Sequence, residues 1–565
     1  MMIQNLLNPI SNLPVLPSTH KPKANEILFV PLGGSGEIGM NLNLYGHNKK
    51  WLGVDFGITF GNHLTLGIDV ILPDPSFLES ISRHCVGFFI THAHEDHLGA
   101  LAYLWDSIDV PIYATPFAHS VLKNKLNQQG IFAQNRLKKA NLNQAITLKP
   151  FTIKFLTLTH SIPEPNGLII ETEAGRILHT GDWKIDPDPR IGENFDENTI
   201  IDSGIKGIDA VICDSTNALE EGWSTSEGKV YQGLYDVLKD LKQMIIVTCF
   251  ASNIARLKTI FDISKKIGRV PILAGTSLLR MSQIAIETGY LKDHQLFFEA
   301  KDAQKIPRHK RLVICTGSQG ESRAALARIA TNQYRDIKLS AGDHVVFSSR
   351  IIPGNEHRIN ELTNQLTAQQ IDIKHVGKHP LIHASGHPHR DELKRMYEWT
   401  KPKLAVPVHG ELQHLVAHAK LALSNGVKQA IVPTNGGVYR ICGHDQGAIA
   451  QVHFGRLYLD GHHFIPSSDL VFKERKQLAH HGIVIVAAAG IANFDATVHI
   501  STLGVIIEEI EKLEDFVLKQ LQKLDKMPSQ PLKFIENLRV KLRRLITQET
   551  GKKPKVIIEI PEIIK

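Results

Sequence analysis

The chain of 565 residues lacks any apolar run long enough to cross a membrane. A membrane-spanning helix needs about 18 or more consecutive apolar residues, and no window of the sequence approaches that length. The N-terminal segment has no basic start and is interrupted by Pro9, Pro14 and Pro17, so it does not have the pattern of a secretion signal. These absences predict a cytoplasmic protein without a membrane span.

Cysteine is scarce as well. The five cysteines are odd in number, widely spaced and mostly set in apolar runs: Cys85, Cys213, Cys249, Cys315 and Cys442. A small secreted domain held by disulfides would instead show an even number in a short chain. We therefore expect buried thiols in a reducing compartment.

Acidic residues are absent between Val110 and Pro163, where seven side chains are basic. These are Lys123, Lys125, Arg136, Lys138, Lys139, Lys149 and Lys154. A second basic cluster, from Arg539 to Lys555, is offset only by Glu549. The net charge of +7 is by itself weak support for a polyanionic partner. Two interpretations of each cluster stay open, a solvated surface and a surface that contacts phosphates.

The length of the chain predicts two or three domains, because single cores stop growing at about 250 to 300 residues. Apolar residues make up 42% and charged residues 21%, as in ordinary globular proteins. Short apolar runs alternate with helical patterns such as Leu98 to Asp106 and Ala118 to Leu126. The first runs predict strands at 26–30, 42–45, 51–55, 86–91, 151–159, 176–179 and 210–213.

A second α/β segment follows. Its predicted strands are 245–248, 270–273, 311–315 and 344–347, and its predicted helices are 228–241 and 254–266. Later patterns are a strand at 403–408, apolar segments at 471–485 and 496–505, and an amphipathic stretch at 507–524. A flexible tail is expected over residues 1–23 and a small α/β domain over 470–565.

The strongest motif is Thr91-His92-Ala93-His94-Glu95-Asp96-His97, directly after an apolar strand. Three imidazoles and a carboxylate so close together suit transition metals, and a loop at a strand end lets them face adjacent ions. A single zinc site would need no more than this motif. Further ligand types also follow apolar strands, however, namely His160, Asp182 and His409. Function in α/β folds gathers at such strand ends, so the sequence favours a larger metal centre.

These residues resemble the signature of the metallo-β-lactamase superfamily. The resemblance implies an αββα sandwich with His92, His94 and His160 on one metal ion and Asp96, His97 and His409 on the other. It also implies that Asp182 bridges the two ions and that Asp55 supports the ligands from behind. Because the bridging residue is a carboxylate rather than a cysteine, the resemblance is not to the antibiotic-hydrolysing members.

The segment between Asp182 and His409 is too long for a minimal domain of this kind and resembles the β-CASP insertion of nucleic-acid-processing members. Three motifs support this: Cys213-Asp214-Ser215-Thr216, His383-Ala384-Ser385-Gly386-His387 and Pro407-Val408-His409-Gly410-Glu411. DNA-repair members tend to lack the last histidine, so His409 favours RNA. The implied domains are the catalytic domain at 24–216 and 373–465, the insertion at 217–372 and the C-terminal domain at 470–565.

Within that group the chain resembles the ribonuclease J family. The resemblance is carried by Gly33-Gly34-Ser35-Gly36-Glu37-Ile38-Gly39-Met40-Asn41, His160-Ser161-Ile162-Pro163 and Cys315-Thr316-Gly317-Ser318-Gln319-Gly320-Glu321. Two details depart from the expected pattern, Glu164 in place of an aspartate and Ser322-Arg323 after the Gly-Glu pair. Neither departure is at an expected metal ligand, so only the details of substrate choice are left open by them.

The resemblance implies a 5′-to-3′ exoribonuclease that prefers single-stranded RNA with a 5′-monophosphate, also cuts internally, and serves RNA decay and rRNA and mRNA maturation. Its cofactors would be two divalent ions, Zn²⁺ with Mn²⁺ or Mg²⁺ as alternatives, and its assembly a homodimer or homotetramer. We expect His387 to act as general acid, held by Asp214, and Asp96 to take part in catalysis as a metal ligand. His383, Ser385, Gly386 and His387 are expected to hold a substrate phosphate.

Weaker signals have competing interpretations. The Gly317 to Gly320 loop fits a phosphate cradle and a tight turn equally well. Ser224 and Glu227 fit a capping box before the helix at 228–241. The glycines at 33–39 imitate a dinucleotide fingerprint, but no matching helix and acidic residue follow. The rival enzymes are a glyoxalase-type thioesterase and a flavin-partnered di-iron redox protein, and the insertion and the missing flavin domain oppose both. The rival outside enzymology is an RNA-binding scaffold with a decayed site, which the complete ligand set opposes.

Overall fold

The computed structural model describes residues 10–17, 20–62, 64–132, 134–142, 144–291, 297–352, 354–489, 496–523 and 530–561. The chain divides into two units, one made of residues 1–59 and 71–456 and the other of residues 60–70 and 457–565. Part of the expected tail at 1–23 lies outside the described residues. Within the described part, Leu16 donates its backbone N–H to the carbonyl of Gln451 at 2.7 Å, so residues 10–17 are attached rather than free.

The first 216 residues form strands and a few helices. The strands are β1 (Ile27–Gly33), β2 (Ser35–Gly36), β3 (Leu42–His47), β4 (Lys50–Val54), β5 (Thr59–Phe60), β6 (Val70–Pro73), β7 (Cys85–Ile90), β8 (Ile112–Ala114), β9 (Leu137–Lys139), β10 (Ala145–Leu148), β11 (Phe151–Thr157), β12 (Asn166–Thr172), β13 (Gly175–His179) and β14 (Ala210–Asp214). The helices are α1 (Ser76–Ile81), α2 (Glu95–Leu98), α3 (Pro116–Gln128) and α4 (Glu197–Lys206).

The next segment is the inserted domain. Its helices are α5 (Glu227–Leu238), α6 (Ile254–Lys266), α7 (Thr276–Glu287), α8 (Ala325–Ala330) and α9 (Glu356–Ala368). Its strands are β15 (Ile245–Thr248), β16 (Val270–Ala274), β17 (Phe298–Glu299), β18 (Arg311–Cys315), β19 (His344–Phe347) and β20 (Asp372–Lys374), in a parallel sheet of order β17-β16-β18-β15-β19-β20. Apolar side chains such as Ile246, Val313 and Leu326 form a core of its own.

The chain then returns to the first domain. It adds α10 (Arg390–Thr400), α11 (Leu412–Ser424) and strands β21 (Leu404–Val408), β22 (Gly410–Glu411), β23 (Gln429–Ala430), β24 (Gly437–Cys442) and β25 (Gly447–Gln451). Two sheets result, of order β25-β24-β1-β3-β4-β7-β8-β9 and β10-β11-β12-β13-β14-β21-β23. The strands at the centre of both sheets are buried and rich in β-branched and aromatic residues, which suits strands covered on two sides.

The packing of these layers is an αββα sandwich. One apolar core lies between the two sheets, with Phe29 and Phe89 from the first sheet against Phe155 and Val406 from the second. A second core joins the outer face of the second sheet to α4, α10 and α11. Helix α3 packs beside β8 and β9 of the first sheet. The fold class predicted from the sequence is thereby confirmed.

The second unit contains β26 (Arg456–Asp460) from Leu457 onward, β27 (His463–Pro466), α12 (Leu470–His481), β28 (Ile483–Ala489), β29 (Thr497–Leu503), α13 (Ile510–Gln522), α14 (Pro531–Thr550) and β30 (Lys555–Glu559). Strands β29, β28 and β30 form a sheet whose buried residues, including Val484 and Ile558, pack against α13 and α14. No helix among the residues that the structure describes is long and apolar enough to span a membrane.

Several local predictions were wrong. The helix expected from Leu98 to Asp106 is replaced by the end of α2 and two short 3₁₀ turns, at 99–102 and 105–107. The backbone N–H of Ala100 donates to the carbonyl of Phe56 at 3.0 Å instead of continuing the helix. The apolar segment 471–485 divides into α12 and the start of β28. By contrast, the amphipathic stretch predicted at 507–524 does form a helix, α13, from Ile510 to Gln522, and its last residue lies outside the described residues.

The expected capping box was wrong in its residues. Helix α5 begins at Glu227, and its N-cap is Ser226, whose side chain accepts from the backbone of Lys229. Ser224 instead donates to the buried carboxylate of Glu392, and Glu227 pairs with Arg256. Each of these two side chains therefore contacts a residue distant in sequence instead of capping the helix. The Gly317 to Gly320 loop is a turn, closed by a 3.2 Å bond from the N–H of Gly320 to the carbonyl of Gly317.

All five cysteines are buried and free, as predicted. Burial raises the pKa of Cys85, Cys249 and Cys442 to about 12.

Candidate metal centre

Polar side chains collect where five strands of the sandwich end. The loop after β7 carries His92 to His97, β11 leads to His160, and β13, β14 and β21 lead to Asp182, Asp214 and His409. The last three strands are parallel neighbours, so their carboxyl ends lie side by side at one edge of the sheet. This topology brings together residues that are far apart in the sequence.

The first donor group consists of His92, His94, His160 and Asp182, whose ligand atoms lie within 4.8 Å of one another. Nδ1 of His94 is 3.0 Å from Nε2 of His92 and 3.1 Å from Nε2 of His160. Oδ2 of Asp182 is 3.8 Å from the former Nε2 and 3.7 Å from the latter. Three imidazole nitrogens facing one point, with a carboxylate beside them, match the donor set of a zinc-type site.

The second donor group consists of Asp96, His97, His409 and the same Asp182. Nε2 of His97 is 3.2 Å from Oδ2 of Asp182, and Nε2 of His409 is 3.1 Å from Oδ2 of Asp96. Oδ1 of Asp182 is buried without a hydrogen-bond partner among the described residues. A buried carboxylate oxygen without a partner is costly, and a cation between the two groups would satisfy it. The residues present therefore fit divalent ions.

Four of the imidazoles are oriented through their other ring nitrogen. Nδ1 of His97 lies 2.7 Å from Oδ2 of Asp55, and that of His92 lies 3.0 Å from Oγ1 of Thr91. Nδ1 of His160 lies 2.5 Å from the carbonyl of Gly386. Nδ1 of His409 lies 2.8 Å from Oγ1 of Thr216. Such contacts fix the tautomer of a metal-binding histidine and leave Nε2 free to face the ion.

Asp55 holds the rear of the centre. It is fully buried at the end of β4, with φ of 61°, and Oδ1 accepts the backbone N–H of Thr91 at 2.8 Å. Its other oxygen accepts from the hydroxyl of Thr91 at 2.9 Å and contacts His97. A single carboxylate therefore orients a histidine and also fixes the start of the loop that carries four candidate ligands.

The electrostatics differ between the two groups. Burial, aided by the neighbouring imidazoles, holds the pKa of His92 and His160 well below 6.5 and lowers that of His94 to about 4. These rings are neutral at pH 7, as a metal ligand must be. In the second group, burial lowers the pKa values of His97 and His409, but nearby carboxylates, Asp182 foremost, reverse the shift, and His409 reaches about 10.

His387 lies beside both groups. Its Nδ1 is 2.8 Å from Oδ2 of Asp214 and 3.9 Å from Oδ2 of Asp182. Burial lowers the pKa of His387, yet the charges of Asp214 and Asp182 outweigh burial and leave it raised. Asp182, Asp214, His387 and His409 also form a third group with ligand geometry, so proximity alone leaves His387 open to two roles, proton donor or ligand.

The other residues expected at a phosphate site lie on the same segment. Oγ of Ser385 accepts from Nδ2 of Asn217 at 2.7 Å and from the backbone N–H of His387 at 3.3 Å. Gly386 lies against His160, where an added Cβ would be 2.5 Å from the ring. His383 is buried, and burial together with the charges of Arg256, Lys184 and Arg350 holds its pKa well below 6.5.

Three residues near the ligands were not assigned roles from the sequence. Thr91 and Thr216 orient His92 and His409, as described above. Asn41 lies at the end of the glycine-rich segment, with Nδ2 3.1 Å from Nε2 of His97 and 3.1 Å from the carbonyl of Asp96. Their positions in the sequence could have indicated these roles. Both threonines lie in motifs next to candidate ligands, and Asn41 is the last residue of the glycine-rich motif, which had no assigned role.

The acid-free basic stretch has mixed surroundings. Lys123, Lys138 and Lys139 are exposed. Lys125 instead pairs with Glu95 of the metal-site loop at 2.5 Å, and Arg136 lies over the ring of Trp105. Lys125 therefore links helix α3 to the loop that carries His92 to His97. The three exposed lysines, one on α3 and two on β9, could contact a partner.

Comparison with family models matches four regions of the chain. Residues 75–227 match a beta-lactamase superfamily domain, and 242–366 match the beta-CASP domain of ribonuclease J. Residues 371–433 match the RNA specificity domain of Zn-dependent metallo-hydrolases, and 470–563 match the ribonuclease J C-terminal domain.

Curated relatives cover nearly the whole chain. The ribonuclease J of Sinorhizobium meliloti is 38% identical over 551 residues, which are 95% of this chain and 98% of that protein. The ribonuclease J of Thermus thermophilus is 30% identical over 94% of this chain and 95% of its own length. A crystal structure of a protein of unknown function from Enterococcus faecalis has a TM-score of 0.53 at 15% identity, covering 74% of this chain and 100% of that one. That last likeness concerns the fold alone.

Proposed function

The chain belongs to the ribonuclease J family, and we propose that it is a two-metal ribonuclease that degrades RNA from the 5′ end and also cleaves it internally. Membership establishes the coarser statement: the protein is a metal-dependent nuclease, and RNA is its substrate class. The number of ions, the direction of cleavage and the residue roles are the proposal.

The observation that carries the proposal is the pair of donor groups that share Asp182. His92, His94 and His160 would hold one ion, Asp96, His97 and His409 the other, and Asp182 both. The imidazole-rich set favours Zn²⁺, with Mn²⁺ or Mg²⁺ as alternatives. When bound, two such ions supply a water nucleophile at neutral pH and charge compensation at the phosphoryl oxygens.

The leaving O3′ needs a proton, and His387 is the group that we assign to deliver it. The charges of Asp214 and Asp182 raise its pKa, which extends the acid form of the ring to higher pH, and the Asp214 contact fixes Nδ1, so that Nε2 carries the transferable proton. Asp214 thus orients the acid, and Asp96 acts in catalysis as a ligand.

His383, Ser385, Gly386 and His387 are proposed to hold a substrate phosphate. Ser385 and His387 lie on the segment that touches both the metal centre and Asn217, and the backbone at Gly386 approaches His160. A phosphate held there would explain a preference for single-stranded RNA with a 5′-monophosphate. This would favour stepwise removal of nucleotides from that end.

Family membership supports the remaining parts of the proposal. We assign a catalytic domain to 24–216 and 373–465, the β-CASP insertion to 217–372 and a C-terminal domain to 470–565. The matches at 75–227, 242–366, 371–433 and 470–563 support these assignments. A cytoplasmic location, a homodimer or homotetramer, and roles in RNA decay and rRNA and mRNA maturation complete the proposal.

The test is incubation of purified protein with end-labelled RNA carrying a 5′-monophosphate or a 5′-triphosphate, and with a DNA strand of the same sequence. Mononucleotide release from the monophosphorylated RNA, slower release from the triphosphate and little cleavage of DNA are expected. Equal rates on all three strands would contradict the substrate assignment.

The metal assignment is tested by His94→Ala and Asp182→Asn. One removes a ligand and the other weakens the shared charge, so both should nearly abolish hydrolysis and lower the bound metal while the protein stays folded. A matched control is His357→Ala, an exposed histidine of the inserted domain. Normal turnover with full metal content in either variant would remove the two-metal assignment.

A further inference from the structure

The loop that carries His160 is tied down at both ends. The backbone N–H of Leu158 donates to the carbonyl of Pro165 at 3.1 Å, which closes the loop between β11 and β12. Oγ1 of Thr159 donates to the carbonyl of Lys184 at 2.7 Å. These two hydrogen bonds hold Leu158 and Thr159 within the catalytic domain. The remaining contacts of the loop are made by Glu164.

Glu164 is buried and stands at φ of 55°, a left-handed conformation that non-glycine residues rarely adopt. Its Oε2 accepts the backbone N–H of Phe117 at 2.7 Å, at the first turn of α3. Its Oε1 accepts the hydroxyl of Tyr290 at 2.9 Å. Each carboxylate oxygen is therefore held by a different element.

Tyr290 belongs to the inserted domain, directly after α7. Its backbone N–H donates to the carbonyl of Ala285 at 2.8 Å, which anchors the residue to that helix. Its ring packs edge-on against the ring of Phe117, with centroids 6.0 Å apart. Three pairwise contacts therefore join α3, the His160 loop and the inserted domain, through Phe117, Glu164 and Tyr290.

We propose that Glu164 is a positioning residue for the His160 loop and that Tyr290 of the inserted domain acts through it. The inserted domain would then tune the metal centre at a distance, because His160 is held by the carbonyl of Gly386 on one side and by its own loop on the other. This inference rests on the proposed role of His160 as a metal ligand.

The central variant is Tyr290→Phe, which removes one oxygen atom and keeps the ring against Phe117. Binding of Zn²⁺ to the metal-free protein is measured in competition with a chromophoric chelator, beside kcat and KM for 5′-monophosphorylated RNA. Tyr290→Phe should weaken Zn²⁺ binding and lower kcat by about 3- to 10-fold, at or below the range for partners of metal ligands. KM should stay unchanged.

Glu164→Ala should have a larger effect, and the double variant with Tyr290→Phe should be no worse than Glu164→Ala alone. Losses at two independent sites would add instead. Glu164→Gln keeps an oxygen for Phe117 and offers its amide group to Tyr290, so it should restore binding nearly to the original level. Tyr235→Phe is the matched control, since that ring packs against the ammonium group of Lys266 at 3.9 Å, away from the loop.

The outcomes separate two failures. If His160→Ala retains full Zn²⁺ binding, the ligand assignment itself is wrong. If His160→Ala loses an ion but Tyr290→Phe changes only the thermal midpoint, the pair is merely structural and the inference is overturned. Additive losses in the double variant would also overturn it, because Tyr290 would then act without Glu164.

Discussion

At the scale of single residues, His387 has two chemically different roles open to it. It lies with Asp214 beside the donor groups, and its ring nitrogen is as close to carboxylates as those of the candidate ligands. The assignment as general acid rests on the raised pKa and the fixed Nδ1 rather than on distance.

We predict that His387→Ala lowers RNA hydrolysis by about 10²-fold or more, the usual contribution of a general acid, without lowering metal content. Metal content by elemental analysis and single-turnover rates measure the two effects separately. Loss of an ion in this variant would make His387 a ligand and would assign the proton transfer to another group.

A pH profile tests the same pair. Because Asp214 and Asp182 raise the pKa of His387 against the effect of burial, its acid form persists to higher pH than that of an ordinary imidazole and is lost as pH rises through that raised pKa. Asp214→Asn removes one of the two charges, so the alkaline limb of kcat/KM for RNA should move to lower pH. An alkaline limb that stays in place would dissociate Asp214 from the proton transfer.

The two donor groups should respond differently to pH. His92, His94 and His160 are already neutral at pH 7, whereas His97 and His409 are held protonated by Asp182 and other carboxylates. Zn²⁺ binding to the second group must displace those protons. Titrations of metal-free protein between pH 6 and 9 should therefore show one ion whose affinity rises with pH and one whose affinity changes little; parallel slopes would contradict the distinction.

Residues of this centre differed in how far the sequence could predict them. Ligand types that follow an apolar strand stand out, and parallel strands bring their ends together, so His160, Asp182 and His409 could be singled out beforehand. Thr91, Thr216 and Asn41 could not, because hydroxyl and amide side chains are common in loops. Their contacts, such as that of Thr216 with His409, join positions far apart in the chain.

At the scale of elements, strands with continuous apolar runs were predicted well and helix details poorly. The predicted bounds agree with those of β15, β18, β19 and α6. Each of these strands is a continuous apolar run in a parallel sheet, and α6 has a regular helical spacing of apolar residues. The helix expected at 98–106 failed because tertiary contacts of the metal-site loop override local periodicity. Ser224 failed as a cap because Glu392, distant in sequence, accepts its hydroxyl.

Helix α3 and strand β9 carry the prediction about RNA contact. Lys123, Lys138 and Lys139 are exposed on these elements, and replacing all three by Gln should weaken RNA binding for every sequence alike. The slope of log affinity against log salt should fall by about 0.7 for each RNA phosphate that is no longer neutralised by a lysine. Lys125 is left unchanged because it pairs with Glu95.

A matched variant removes the same charge elsewhere in the first unit, at the exposed Lys206, Lys242 and Lys428. It should leave the slope intact, and bis(p-nitrophenyl) phosphate hydrolysis should be normal in both variants. If the slope is the same for the α3–β9 variant and the original protein, the stretch is solvated surface.

At the scale of the whole molecule, the apolar cores that stabilise the fold are distinct from the residues that would bind metal ions. The sandwich, the insertion and the C-terminal sheet each have an apolar core made of buried side chains from several elements. The candidate ligands lie at the strand ends, outside these cores. The fold should therefore form without ions, although ions would add stability by mass action.

We predict that chelation abolishes RNA cleavage and that Zn²⁺ restores it, while far-ultraviolet circular dichroism stays unchanged. Zn²⁺ at 100 times its dissociation constant should add about 2.7 kcal/mol to the free energy of unfolding. A loss of secondary structure on chelation would instead make the ions part of folding.

The spacing of the ligands along the chain also has a consequence during synthesis. The first donor group is complete once Asp182 has been made, whereas the second needs His409, which follows the whole inserted domain. The backbone N–H of His409 further reaches back to the carbonyl of Gly34 at 2.6 Å, so the end of the domain closes on its beginning. Of the seven candidate ligands, only His409 is missing from a growing polypeptide that has passed Asp182 but has not reached residue 409. The proposed two-ion centre therefore cannot be completed before more than 400 residues have been synthesised.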